Sequence, residues 1–330
     1  MSVATKAEQV LPGARQLIER VMRGGGSVAA ECPLVFEGPL GAQRPGRVVA
    51  LSEDGAVCSA CAILPRDFVV PGGSLRLGLI GYVATDTNTR GRGFASSVLD
   101  AAEAALADRG CVASLLWADD ASFYQRRGYH ALGRELDFAL DAGALEALPH
   151  WASTRAYDPE RDSESVQALM AARPIRVERS LDETRALLAI PGLRTRVATR
   201  GDRVVAYACE GKGPDLRGAV HDWGGETLAV LALIGELAAP HVAAGRRAFV
   251  LTPHASLPTV RGLLDLGLRA EPGVLGMGRL LAPEAARALL GPAAAHLPQD
   301  QLLAALLPTP ADADSCGPFG ALFAWGLDSI

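Results

Sequence analysis

The chain of 330 residues is predicted to adopt an α/β (α+β) fold with a mixed sheet flanked by helices, on three observations. Its first half has strand-like runs followed by a strand-helix-strand order, which is typical of an α/β unit. A glycine-rich loop, Arg90 to Ala95, joins an apolar strand to a helix. A similar order begins again near residue 156, which indicates an internal repeat. The sequence therefore predicts two such units in tandem.

The first unit is predicted to begin with a helix and to end with a strand. Apolar residues at helical spacing predict its helices, and runs rich in Val, Leu and Ile predict its strands. In order, the elements are a helix over 7–23, strands over 47–52, 56–64 and 74–84, a helix over 94–106, a strand over 112–117, a short helix, and a strand over 133–140.

The loop from Arg90 to Ala95 lies at the predicted N-terminus of a helix. The first backbone N–H groups of a helix have no intrahelical partner, and the dipole adds about half a positive charge there, so a phosphate is a natural ligand. Gly91 and Gly93 let the backbone close on such an anion, and Arg90 and Arg92 add charge. A Gly-Arg-Gly surface turn is also common, so the loop alone is weak evidence.

A second signal follows in Leu115 to Tyr129, where an apolar strand meets an acidic turn and a short helix that ends at Gly128. Together the two signals resemble the GNAT superfamily of acyl-CoA-dependent N-acyltransferases. Arg90 to Ala95 matches the family's R/Q-x-x-G-x-G/A loop, and Phe123 to Tyr129 matches its F-Y-x-x-x-G-Y/F element. The resemblance covers about residues 1–142.

The resemblance implies a GNAT fold whose splayed strands hold acetyl-CoA as cosubstrate. It implies that the backbone of Val83, Ala84 and Thr85 pairs with the pantetheine arm. It also implies that the loop amides bind the pyrophosphate, the residues being Arg90, Gly91, Arg92, Gly93, Phe94 and Ala95.

The resemblance further implies that Tyr124 is the general acid for the departing thiolate. A phenol with a pKa near 10 is protonated at neutral pH and can donate this proton. The alternative for Tyr124 is an aromatic core residue, and Tyr129 is expected in the core or the cleft lining. Asp119 and Asp120 are candidate acceptor-binding residues, although either could instead cap the short helix.

The tandem arrangement is similar to the enhanced-intracellular-survival type of GNAT acetyltransferases. Those enzymes have a third, sterol-carrier-like domain, for which this sequence has no room, and their terminal carboxylate acts as general base. The apolar end of the chain, residues 319–330, keeps Ile330 as a candidate for the same role. An end this apolar is expected to be docked on the protein.

The second unit is expected to have lost the acyl-CoA site. Asp222 to Thr227 stands where the first unit has its arginine loop, which would place carboxylates at the phosphate position, and Thr259-Val260 replaces Phe123-Tyr124. We therefore expect only the first unit to bind CoA, and the second to form a wall of the acceptor cleft or a dimer surface.

The predicted domain boundaries follow from these patterns and from prolines in a polar stretch after residue 141. They are a GNAT acetyltransferase domain over 1–142, a linker over 143–155, a degenerate GNAT-like domain over 156–282, and C-terminal helices with an apolar tail over 283–330. A proline-rich link over 308–318 precedes the tail.

Composition argues against several other classes of protein. A net charge of −5 with scattered arginines gives no basic surface for nucleic acid. No uncharged apolar run of membrane-spanning length and no secretory signal is found, which predicts a cytoplasmic protein without a membrane partner. Cys58 and Cys61 have the spacing of half a zinc site, but without a second half they are expected to be buried thiols, and no metal is expected.

The sequence thus favours an N-acetyltransferase that acts on the primary amine of a small cationic molecule or a peptide. The alternative is a non-catalytic acyl-CoA-binding regulatory or interaction protein. The pairing of an intact loop with Tyr124 favours the enzyme. The sequence leaves the formation of a homo-oligomer open.

Overall fold

A computed structural model describes residues 2–4, 7–24, 26, 28–36, 40–307 and 317–330 of the chain. Its helices are α1 (Ala7–Arg23), α2 (Phe94–Ala107), α3 (Ala121–Gln125), α4 (Ala142–Ala147), α5 (Pro159–Ala171), α6 (Leu181–Leu188), α7 (Thr227–Ala243), α8 (Pro258–Asp265), α9 (Pro283–Leu290) and α10 (Gln299–Leu306). None of the helices in these ranges is long and apolar enough to cross a bilayer.

The strands form two mixed sheets. They are β1 (Ser2–Ala4), β2 (Arg47–Glu53), β3 (Ala56–Val70), β4 (Gly73–Thr85), β5 (Ala113–Leu116), β6 (His130–Leu132), β7 (Glu135–Ala139), β8 (Thr154–Ala156), β9 (Arg176–Val177), β10 (Arg194–Arg200), β11 (Arg203–Glu210), β12 (Ala219–Gly225), β13 (Phe249–Pro253), β14 (Ala270–Gly273) and β15 (Gly276–Leu280).

The two sheets repeat one topology. The first has the order β1-β2-β3-β4-β5-β15-β6, with β9 on an edge of β3, and the second has the order β8-β10-β11-β12-β13-β7-β14. In each sheet the fourth and fifth strands are parallel, β4 with β5 in the first and β12 with β13 in the second. The other neighbouring pairs are antiparallel. The predicted mixed α/β fold with an internal repeat is confirmed.

Each sheet takes one strand from the other half of the chain. β15 lies between β5 and β6, with Met277 opposite Leu116, and β7 lies between β13 and β14, with Val250 opposite Phe138. The strand predicted over 133–140 is present as β7, but it joins the second sheet instead of the first, because the chain turns at Gly133 (φ 68°) and passes from one sheet to the other. β14 and β15 were not predicted, and α4 lies within the predicted linker.

Helices cover both faces of the first sheet. α1 packs on one face, and α2 packs on the other, with Phe94, Val98, Leu99, Ala102 and Leu106 buried. Cys58 and Cys61 are buried and free in the cluster beneath α2, as predicted. Burial raises the pKa of Cys61 to about 12, so this thiol stays protonated and unreactive at neutral pH.

The end of the chain is docked, as expected from its apolar side chains. Its buried residues are Phe319, Leu322, Phe323, Trp325 and Leu327. Large side chains of this kind each contribute about 1.5–3 kcal/mol when buried, which offsets the cost of ordering the segment. Most of the predicted proline-rich link, residues 308–316, lies outside the described residues.

Candidate active site

The central strands of the first sheet diverge. β4 stays paired with β3 up to Thr85, but its parallel pairing with β5 covers only Leu77 to Leu79. The register with β3 shifts next to Gly81 and Tyr82, and Tyr82 has a positive φ of 52°. This bulge turns the end of β4 away from β5. From Ile80 onward, the edge of β4 that faces β5 therefore has no strand partner, which leaves a gap between the two strands.

Two of the three residues predicted to contact pantetheine are fixed by a buried serine. Ser59 on β3 donates from its hydroxyl to the carbonyl oxygen of Ala84 (3.0 Å) and contacts the Thr85 hydroxyl (2.9 Å). Val83 is half-buried on the side of the sheet where Tyr124 packs. Sequence reasoning missed Ser59, whose only signal was a hydroxyl inside an apolar strand.

The glycine loop lies at the open end of this gap and leads into α2. Gly91 (φ 77°) and Gly93 (φ 84°) both adopt left-handed backbone, and a Cβ at either position would meet no atom within 4 Å. Glycine is thus favoured here by backbone conformation rather than by crowding. The amide of Ser97 bonds to the Gly93 carbonyl, so the amides before it have no partner further back in the helix.

The loop has two exposed arginines, Arg90 and Arg92, and one buried aromatic residue, Phe94. Arg90 and Arg92 are exposed, and Arg92 donates to Glu53 (2.8 Å) while its guanidinium lies 5.1 Å from the Phe94 ring centroid. Phe94 is only 4% exposed and anchors the start of α2 in the core.

Tyr124 lies on α3, a short helix capped by Asp120. The Asp120 carboxylate accepts from the amide of Ser122 (2.9 Å), so the cap alternative holds for this residue, while Asp119 is exposed. The Tyr124 ring packs edge-on against Phe123 (5.1 Å) and Tyr129 (5.8 Å). Burial, with a smaller contribution from Cys61, raises the pKa of Tyr124, so the phenol is protonated at neutral pH.

Tyr129 is a core residue, one of the two alternatives expected. Its hydroxyl donates to Glu103 (2.8 Å) and accepts from Ser114 (3.1 Å), and Arg279 of the exchanged strand β15 donates to Glu103 (2.6 Å). This buried chain of contacts fixes α3, and with it Tyr124, against the first sheet.

Ile330 lies against the bulge of β4. A Cβ on Gly81 would overlap the main-chain carbonyl group of Ile330, so glycine is needed at position 81. Ile330 packs with the cluster that contains Leu79 and Ala84, whereas Tyr124 packs with the cluster beneath α2 on the opposite face. The two predicted catalytic residues thus flank the open edge of β4 from opposite faces.

The corresponding gap in the second sheet is closed. β12 pairs with β13 only at Ala219 and Val220 and is bulged at His221, but the indole of Trp223 donates across the gap to the carbonyl of Leu251 (3.1 Å). β12 also runs into α7 through Glu226 alone, which leaves no loop like that of the first unit.

The sequence-based placement of Asp222 at a phosphate position is wrong, because this residue lies inside β12. Its buried carboxylate pairs with Arg173 (2.7 Å) and Arg179 (2.9 Å) and accepts from the Tyr207 hydroxyl (2.7 Å). Burial alone would raise the pKa of Asp222, but the two arginines hold it at about 2. Among the described residues, no cluster of His, Cys, Asp and Glu has the arrangement of a metal site.

Comparisons with known proteins agree with this geometry. Residues 34–132 match the family of Acetyltransferase (GNAT) domains. A conserved protein of unknown function from Enterococcus faecalis V583, described as a probable N-acyltransferase, has a similar structure, with a TM-score of 0.62, 14% identity, and coverage of 85% of this chain and 72% of that one.

Two further structures are similar at comparable levels. A GCN5-related N-acetyltransferase from Kribbella flavida has a TM-score of 0.61 and 17% identity, covering 86% of this chain and 72% of that one. Eis1 from Mycobacterium abscessus has a TM-score of 0.57 and 16% identity, covering 88% and 76%. No curated protein matches the chain in sequence. The chain thus contains a GNAT acetyltransferase domain at residues 34–132, and its fold is similar to that of Eis1.

Proposed function

We propose that the chain is an N-acetyltransferase that transfers an acetyl group from acetyl-CoA directly to a primary amine of a small cationic molecule or a peptide. The observation that carries this proposal is the gap between β4 and β5 beyond Leu79, which ends at the loop before α2. Tyr124 and Ile330 flank the same edge of β4.

In this proposal the first unit holds two parts of acetyl-CoA, the pyrophosphate and the pantetheine arm. The amides of the loop and of the first turn of α2 would bind the pyrophosphate, with Arg90 and Arg92 adding charge. The free edge of β4 from Val83 to Thr85 would pair with the amides of the pantetheine arm. The second unit offers neither a loop nor an open edge, since Trp223 crosses its gap, so we propose one acetyl-CoA site per chain.

Direct transfer needs one proton donor and one proton acceptor. The amine nitrogen attacks the thioester carbonyl carbon, the carbon–sulfur bond breaks, and the thiolate takes the proton of the Tyr124 phenol. The proton lost by the amine goes to a base. A general acid of this kind contributes about 10²–10⁴-fold to the rate.

Ile330 is the base in this proposal, through a main-chain carboxylate beside Gly81. For this role Ile330 must be the last residue of the protein, which an intact mass establishes before any assay. Two glycines appended after Ile330 move the charge out of reach, because a proton acceptor must approach to about 3 Å or act through one water.

The extended protein should lose turnover by about tenfold or more while acetyl-CoA affinity stays within a few fold. Two glycines added before Met1 serve as the matched control and should change neither quantity. Deletion of 328–330 is a poorer test, because it also removes Asp328, which is buried in an ion pair with Arg179. Full activity of the extended protein would remove Ile330 from the catalytic residues.

The acceptor is proposed to be cationic because the net charge of the chain is −5 and exposed carboxylates, Asp119 among them, lie at the turn before α3. Release of free CoA thiol across a panel of amines tests the reaction, with amines of zero to four positive charges and a matched set of alcohols. Turnover with polyamines or cationic peptides and none with alcohols is expected. Tight binding of acetyl-CoA without turnover on any acceptor would favour the regulatory alternative instead.

A further inference from the structure

The C-terminal segment, residues 317–330, contacts both units of the chain. In the first unit it reaches Gly81 on β4, and Asp328 lies near Arg66 of β3 (3.7 Å). In the second unit it contacts the bulge of β12 and the loop that follows β11. The segment therefore contacts both bulged strands, β4 through Ile330 and β12 through Gly326.

The second unit contacts this segment at the bulge of β12. The amide of Gly326 donates to the carbonyl of His221 (3.1 Å), the bulge residue of β12. A Cβ on residue 326 would overlap the His221 ring, so only glycine fits. Trp325 donates to the carbonyl of Ile175 (3.0 Å) and lies under the guanidinium of Arg173 (3.9 Å).

Lys212 forms hydrogen bonds to the last turn of the chain, residues 326–329. Its ammonium donates to the carbonyl oxygens of Gly326 (3.1 Å) and Leu327 (3.2 Å) and to that of Ser329, and the side chain is only 7% exposed. An ammonium has three donors, and three carbonyls around one turn use them all. The sequence has only two lysines against thirty arginines. The planar guanidinium of arginine would not converge on three carbonyls in this way.

Asp328 fixes the same turn from its other side. Its carboxylate has no exposed area and pairs with Arg179, which also pairs with Asp222 of β12 (2.9 Å). The turn is thus bound at its carbonyl oxygens by Lys212 and at the Asp328 carboxylate by Arg179. Two residues further along, Ile330 reaches Gly81.

We infer that the degenerate second unit is a holder for the C-terminal segment, and that Lys212 is the positioning residue that sets Ile330 against Gly81 in the first unit. The inference rests on the proposed role of Ile330. It assigns the second unit a part in the first unit's reaction that does not require it to bind CoA.

The test compares Lys212→Met, which keeps the length of the side chain but removes its donors, with Leu322→Ala in the same segment. Leu322 is 1% exposed and lies before the turn at residues 326–329, so its truncation should lower the melting temperature without moving Ile330. Lys212→Met should lower kcat by about tenfold or more with KM for acetyl-CoA within about threefold. The acidic limb of its pH–rate profile should move to higher pH, because the positive charge of Lys212, which also faces Glu31, Cys32, Arg179 and Asp328, no longer favours an ionised base.

Leu322→Ala should keep its kcat and its pH profile. Unchanged kcat and pH profile in a folded Lys212→Met protein would overturn the inference, as would losses of kcat that follow the melting temperature equally in both variants. If Lys212→Met does not fold, Lys212→Gln retains two donors without the charge and should show the same shift of the acidic limb.

Hydrogen exchange gives a reading that does not depend on activity. Amides 326–330 should exchange faster in Lys212→Met, while amides 319–325 keep their protection. Unchanged exchange at amides 326–330 in Lys212→Met would contradict the inference, whatever the activity of the wild-type protein. Binding of acetyl-CoA by the wild-type protein without acetylation of any amine would contradict the proposed function and not the contact between Lys212 and the C-terminal segment.

Discussion

At the scale of single residues, Tyr124 carries the sharpest expectation. Its ring packs like a core residue, yet it lies in the same cluster as Val83 of β4, and burial raises the pKa of the phenol, so the hydroxyl keeps the proton that it would donate. Tyr124→Phe keeps the ring contacts and removes only the hydroxyl. Turnover should fall by about tenfold or more, with KM for acetyl-CoA changed only a few fold, since the proton moves in the transition state.

Steady-state kinetics with acetyl-CoA varied at a saturating amine measures both quantities. Phe123→Leu, which alters the neighbouring ring without touching the hydroxyl, is the control and should retain most of its turnover. A loss smaller than about tenfold in Tyr124→Phe would assign Tyr124 to packing.

Residues of the site differ in how far the sequence could predict them. The loop from Arg90 to Ala95 and the Phe123-Tyr124 pair have fixed spacing, and the structure places the loop at the start of α2 and the pair on α3. Ser59, Gly81 and Lys212 could not be found in this way, because their partners lie 25 or more residues away in sequence. Only the folded chain brings such pairs together.

At the scale of elements, the exchanged strand β7 contains a half-buried carboxyl group, that of Glu135. Burial, together with the nearby charge of Asp137, raises the pKa of Glu135 from 4.5 to about 8. The folded state therefore holds a proton that the unfolded chain releases at much lower pH. Its contribution to stability is complete below about pH 4.5 and is lost as the pH rises through about 8.

Glu135→Gln should therefore unfold at about the same temperature as the wild-type protein near pH 5 and at a higher temperature near pH 9. Thermal unfolding across this pH range measures the difference. Glu146→Gln on α4, where the side chain is exposed, is the control for the exchange of side chains and should change the unfolding temperature little. A constant offset between Glu135→Gln and wild type at all pH values would contradict the assignment.

The elements themselves were predicted with uneven success for a physical reason. β2, β3, β4 and α2 lie close to their predicted ranges because apolar periodicity is strong there. β14 and β15 are short and contain three glycines and a proline, so they carry little strand propensity and form because neighbouring strands offer partners. The break between β6 and β7 likewise could not be predicted, because β6 joins the first sheet and β7 joins the second.

At the scale of the whole molecule, the exchange of β7 and β15 ties the two units together. Removing residues 143–330 would take β15 from between β5 and β6 and leave β7 without its sheet. We therefore expect the intact chain to unfold in one cooperative transition and residues 1–142 to lack a cooperative transition of their own. Urea unfolding followed by tryptophan fluorescence and by circular dichroism tests this, and two separated transitions in the intact chain would contradict it.

The central claim is that the first unit alone holds acetyl-CoA, through the loop before α2. Titration calorimetry with acetyl-CoA measures it directly on the wild-type chain, on Gly93→Asp and on Gly192→Asp. Gly192 is the matched control, because its φ of 80° is close to the 84° of Gly93 and a Cβ there also meets open space. Gly225 of β12 cannot serve, since a Cβ there would overlap the backbone of Val205.

We expect a stoichiometry of about one acetyl-CoA per chain in the wild-type protein. Gly93→Asp should lose affinity by roughly 30-fold or more, because the new carboxylate would face the pyrophosphate, and Gly192→Asp should change affinity little. Two sites per chain, or equal losses in both variants, would contradict the claim.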